Sequence, residues 1–326
     1  MHVSDGMVTP AMRPTEKPSI SKLIVAFGSI YFIWGSTYVA IRYAIQTLPG
    51  FLMAAVRFLL AGAVLCAVAY WQGARLSRPT AWRTAVATGF ILLLLGHGAV
   101  VLAIHWVPSG LAALLLCTTP IWVALMEWAL PGGKRPGGKV STGILLGFLG
   151  IAMLVGVGDL RNDEVDLLGV GILLLSSVAW GAGTIYSRRV PISSSPLMTS
   201  GMQMLTGGGW LFLASVFNGD LSRFHVDTIS FQSILALGYL TLFGSIVAFT
   251  AYSWITKMTS PARAVTSSYV NPVVAVFLGH ALAGEPLSYR MMLAMLTIIL
   301  GVIVITSSQT ALKVSMKLPE TADELA

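Results

Sequence analysis

The chain has 326 residues, of which 56% are hydrophobic and only 10% charged, with a net charge of +7 at pH 7. A soluble domain of this length carries roughly a quarter charged residues, so water is not the solvent for most of this surface. A soluble enzyme and a nucleic-acid-binding module are both excluded, and the expected surroundings are lipid.

The first 22 residues are polar and are predicted to form a cytoplasmic tail. Apolar runs able to cross ~30 Å of hydrocarbon follow along the whole chain. Ten are predicted, at about 24–46, 50–71, 83–104, 109–130, 140–157, 167–187, 196–217, 231–256, 261–283 and 290–308. The first is too long for a signal-peptide core and reads as a retained helix. Short alternating segments of a β-barrel are absent. The predicted fold class is therefore an all-α polytopic membrane protein. It divides into a first five-helix unit at 23–157, a second at 167–308 and a cytoplasmic tail at 309–326.

The first run carries Trp34-Gly35 with Tyr38 and Arg42, so that Trp34, Tyr38 and Arg42 share one helical face. Arg57 lies two turns into the second run, where a structural pair or snorkelling is favoured over substrate binding. His97 sits in the third between Gly96 and Gly98 and is the group there able to titrate near neutrality. The fourth contains Pro120 and, near its end, Glu127, a candidate for proton coupling or for pairing with Lys134 or Arg135. Cys66 and Cys117 lie inside runs and read as small packing residues, with no metal cluster and no cofactor implied. In the sixth run Trp180-Gly181, Thr184 and Arg188 repeat the first run's spacing. Ser245, Phe249 and Tyr252 share a face of the eighth, and Ser267 and Asn271 share one on the ninth, immediately before Pro272.

Trp34 and Trp180 stand 146 residues apart, and Pro120 and Pro272 stand 152 apart inside the blocks PSGLAALLLCTTPIWVA and SPARAVTSSYVNPVVAV. Two aligned blocks in the same order, at such similar separations, mark an internal duplication. With five spans per unit, the second unit enters the membrane upside down, the architecture of an alternating-access transporter. Of the 20 Lys and Arg residues, fifteen fall on the face expected to hold both termini and five on the other. The positive-inside rule places that face in the cytoplasm.

The stretches YFIWGSTYVAIRYAI, VPSGLAALLLCTTP, VAWGAGTIYSRR and SPARAVTSSYVNPVVAVFLGHALAGEPLS resemble the EamA family of the drug/metabolite transporter superfamily. The resemblance spans about residues 24–308 and implies ten helices, cytoplasmic termini in a bacterial inner membrane and export of small metabolites, often amino acids. One departure stands out: Gly284-Glu285 closes the fourth helix of the second unit, whereas the first has Pro131-Gly132-Gly133.

The expected substrate path is lined by Trp34, Tyr38, His97, Trp180, Thr184, Phe249, Tyr252, Ser267 and Asn271, with hinges at Pro120, Pro272, Gly35 and Gly181. Asn271 is expected to cap carbonyls loosened by Pro272, and Ser109 and Ser260 to cap helices. Aromatic walls with a few neutral hydrogen-bonding groups suit amphipathic or zwitterionic solutes, amino acids first, or organic cations held over a ring. The expected partners are the bilayer and a small solute, without nucleic acid or a protein partner. A nucleophile elbow, a zinc-binding helix and a selectivity filter are all missing from the pattern, which disfavours an intramembrane enzyme or a channel.

Overall fold

In the computed structural model the described residues are 19–74, 78–131, 133, 135–155, 166–190, 195–258 and 266–315. The expected tails fall largely outside them, as do Ser260 and Lys134. Among the described residues the fold is all helical. We label the main helices α1 (Ile20–Ala44), α2 (Gly50–Trp71), α3 (Pro79–Ala103), α4 (Ser109–Ala129), α5 (Gly138–Val155) and α6 (Leu167–Arg189). The rest are α7 (Pro196–Phe217), α8 (residues 231–258), α9 (Ser267–Ala283) and α10 (Tyr289–Ser315).

Helix ends follow local chemistry. Pro79 and Pro196 occupy first-turn positions, where a missing amide costs nothing. The side chains of Asp166, Ser195 and Ser230 accept backbone N–H groups at the starts of α6, α7 and α8. Gly284, at φ 63°, ends α9 in the left-handed conformation that glycine adopts without strain, and the Glu285 amide closes back on the Gly279 carbonyl.

Seven of these helices are long and apolar enough to cross a membrane: α1, α2, α3, α4, α6, α8 and α10. The other three predicted runs are helical but fall short of that measure. Gly138–Leu154 and Ser267–Ala283 are shorter. In α7, Thr199, Ser200, Gln203, Thr206 and a triple glycine dilute the hydropathy.

Two interior crossings rest on small residues, as membrane helix pairs commonly do. Along α2 and α7, a Cβ on Gly62 would lie 2.7 Å from the Leu205 amide nitrogen, and one on Gly201 2.9 Å from that of Cys66. Between α5 and α10, Gly143 and Gly301 face each other's carbonyls in the same way. Further pairings are α1 with α8 and α9, α6 with α3 and α4, α2 with α8, α3 with α7, and α4 with α9.

Three irregularities mark the bundle interior. Phe90–Gly98 in α3 and Leu240–Val247 in α8 are π-helical, a distortion frequent at functional sites. Helix α4 breaks between Leu116 and Thr119, just before Pro120, while α9 runs continuously through Pro272.

Candidate functional site

The interior π segments bring polar groups together. The Trp34 indole N–H on α1 donates to the Gly244 carbonyl on α8, at 3.2 Å. Its ring meets Phe249 edge-on at 5.4 Å and Tyr252 at 5.3 Å between centroids, so three predicted path residues form one aromatic cluster. Gly35 packs beneath it against α9: a Cβ there would fall 2.6 Å from Val274 Cβ and 3.0 Å from the Asn271 carbonyl.

Arg57 lies next to that cluster. A Cβ on Gly244 would sit 3.2 Å from its Nη2. It is only 3% exposed, so it does not snorkel, and no carboxylate pairs with it among the described residues. Its Nε–H donates to Ser245 Oγ at 2.9 Å, and its Nη1 contacts His97 Nε2 at 3.3 Å. A guanidinium can only donate, so this Nε2 accepts and the imidazole is neutral with its proton on Nδ1. The Phe58 ring lies 4.8 Å from both the guanidinium carbon and the His97 centroid.

On the far side, Trp180 of α6 presses its indole against Gly96, the neighbour of His97. A line of neighbouring groups thus runs from Trp34 through Gly244, Ser245, Arg57, His97 and the adjoining Gly96 to Trp180. Trp34 and Trp180 lie at its ends. Trp180 Nε1 and Asn271 Oδ1 are buried with no hydrogen-bond partner, a condition rare enough to require an explanation.

Other predicted residues stand apart from this line. The Thr184 hydroxyl donates back to the Trp180 carbonyl at 2.7 Å and is consumed locally. Tyr38 is half-buried beside the core, and Ser267 is buried at the start of α9. Gly181 meets Val123 and Met126 only at ordinary contact distances, 3.4 and 3.5 Å, for an added Cβ. Glu127 is exposed near the end of α4.

Two capping expectations are corrected. Pro272 leaves the Ser268 carbonyl without its helical donor, and Cys117 Sγ, not Asn271, supplies the replacement at 3.0 Å. The Ser109 hydroxyl does not cap α4. Buried Glu285 does, accepting the Ser109 and Gly110 amides at 2.7 and 3.0 Å. Arg42 adds an ion pair to the same carboxylate at 3.1 Å. Only an acidic residue beside the αL glycine hinted at this in the sequence. Ser177 of α6, bonded to Thr118 and Thr119 at 3.1 and 3.0 Å across the break in α4, gave no signal beyond hydroxyls in apolar runs.

A cavity of about 450 Å³ opens elsewhere, where the α1–α2 connection meets the end of α3 and residues 218–223. Its polar lining includes Gln46, Thr47, His105, Asn218, Asp220 and Arg223, and none of the predicted path residues borders it.

Comparison with known proteins places this geometry in context. The EamA-like transporter family matches residues 21–156 and again residues 167–307. The uncharacterized inner membrane transporter YedA of Escherichia coli K12 is 36% identical over 289 residues, covering 87% of this chain and 92% of that protein. The "probable amino-acid metabolite efflux pump" of the same organism is 25% identical, covering 83% and 90%. A solved crystal structure shares the fold with a TM-score of 0.59 at 21% identity, over 90% of this chain and all of that one.

Proposed function

The chain belongs to the EamA-like transporter family, and we propose that it is an alternating-access exporter of small amphipathic metabolites, amino acids first among them. In this reading ten helices cross the bacterial inner membrane as two inverted five-helix units, at 23–157 and 167–308, with both termini in the cytoplasm. Membership of a transporter family is the firm ground. The twofold family match supports duplication, and helix pairing supports symmetry. Exchanging each of the first five helices with its counterpart five later turns α1–α9 into α6–α4, α1–α8 into α6–α3 and α2–α8 into α7–α3.

One observation carries the substrate reading. The aromatic cluster of Trp34, Phe249 and Tyr252 adjoins a polar line that runs between the units, and Trp180 Nε1 and Asn271 Oδ1 still lack partners. A solute with an apolar body and a small polar head suits such a lining. Relatives lend support, since one carries the amino-acid efflux name given above. In this reading Pro120, Pro272, Gly35 and Gly181 serve as hinges as the units rock.

The second reading is a multidrug exporter of organic cations, favoured by the same rings. The buried Arg57 charge in the middle of the line weighs against it. Saturable counterflow in proteoliposomes tests transport, and resistance of overexpressing cells to toxic amino-acid analogues or to cationic dyes tests the cargo. Protection from dyes alone overturns the amino-acid reading.

A further inference from the structure

We propose that Arg57 is the anchor for a carboxylate of the transported solute, so that the site takes amphipathic carboxylates, zwitterionic or anionic, and rejects organic cations. The inference rests on the transport reading above and names the chemistry of its central site.

A guanidinium has five N–H donors. Here one is held by Ser245 Oγ and one by His97 Nε2, both uncharged acceptors, which leaves three N–H groups and the whole positive charge without a counter-ion among the described residues. Isolated charge inside a membrane protein is costly and is normally matched by a partner. The other described arginines with ion pairs, Arg42 and Arg223, find theirs in Glu285 and Asp220. Arg57 is more buried than either and has none.

Its surroundings fix the fork rather than neutralise it. Ser245 belongs to one π segment and His97 to the other, so the guanidinium is held between the two distorted helices. A planar fork held at two corners presents its remaining edge in a defined direction, the geometry that matches a carboxylate with paired hydrogen bonds. Gly244 packs directly on the fork: a Cβ there would meet Nη2 at 3.2 Å and Thr37 Cγ2 at 3.1 Å, so a larger residue would push the guanidinium from its place. The same Gly244 carbonyl holds Trp34, which places the aromatic cluster beside the fork. Carboxylate on Arg57 and apolar body against Trp34 is the pose that follows. A bound carboxylate would supply the missing counter-charge inside the bundle.

The test uses two matched sets that differ only in the charged group: phenylalanine, 3-phenylpropionate and phenethylamine; leucine, 4-methylpentanoate and isoamylamine. Binding to the full-length protein in detergent is read by tryptophan fluorescence and by the shift in thermal unfolding midpoint, and counterflow is measured separately in proteoliposomes. In at least one set the two carboxylates are expected to bind about 10-fold or more tighter than the amine. Arg57→Gln is expected to lose about 10- to 100-fold for the carboxylates with little change for the amine. Arg57→Lys keeps the charge and the fold while losing the fork, and should fall between. The proposal is overturned if amines bind as well as carboxylates, if no compound of either set binds, or if Arg57→Gln, shown monodisperse, stays within twofold of the parent. Carboxylate binding without counterflow would sink the transport reading and leave the anchor standing.

Discussion

At Glu285 a single side chain serves three donors, the amides of Ser109 and Gly110 and the Arg42 guanidinium. Those amides are orphans of the first turn of α4, and a carboxylate there also meets the positive end of the helix dipole. Arg42 is 40% exposed, so most of the effect belongs to the buried amides. Glu285→Ala is expected to lower stability by about 2 kcal/mol and Glu285→Gln by about half that, read as thermal midpoints in detergent. Identical midpoints in all three proteins would remove the capping role. Residues of the proposed path should behave differently. Trp34→Ala and Asn271→Ala are expected to insert and fold with near-normal yield yet lose most counterflow, because one removes a ring of the aromatic cluster and the other a buried polar atom without a hydrogen-bond partner. Unchanged flux in both variants would take these residues out of the path.

Between helices, the two Trp-Gly pairs make unlike contacts. At Gly35, α1 lies so close to α9 that an added methyl meets Val274 Cβ at 2.6 Å. At Gly181 the nearest atom, on Val123, is 3.4 Å away. Gly35→Ala should therefore push α1 from α9 and cost about 1–3 kcal/mol by overpacking. Gly181→Ala should be neutral or mildly stabilising, since alanine favours the helix by up to about 1 kcal/mol. Thermal midpoints of the two variants check this, and equal losses would contradict the packing described. The α4–α9 crossing has its own asymmetry. Both helices carry a proline, but α4 breaks and α9 does not. Continuity in α9 is consistent with the thiol of Cys117, which replaces the donor lost at Ser268. At the α4 break, Thr119 Oγ1 bonds the Leu116 carbonyl at 2.7 Å while Ser177 ties both threonines to α6.

For the molecule as a whole, the basic residues predict a topology that labelling can test. Cysteines introduced at Ser4 and Ala322 should resist a membrane-impermeant thiol reagent in intact cells and react after permeabilisation. Labelling of one end but not the other from outside would break the even number of crossings and with it the inverted arrangement, and labelling of both would reverse the predicted orientation. Much of this protein is legible in its sequence because hydropathy and duplication are properties of the chain itself. Long apolar runs declare the solvent wherever they fold, and the spacing from Trp34 to Trp180 or from Pro120 to Pro272 survives any packing. Helical spacing likewise puts Phe249 and Tyr252 on one face, while the packing of Trp34 against them is decided by the α1–α8 contact. Polar partners were not legible in this way. Whether Arg57 snorkels, pairs with an acid or stays without a counter-ion depends on which helices abut α2, and Ser245 lies 188 positions away. Cys117 and Ser268 are 151 apart, and Glu285 reaches α4 across 176. Hydrogen bonds and charge pairs act over about 3 Å in space, a distance set by the packed bundle and blind to separation along the chain.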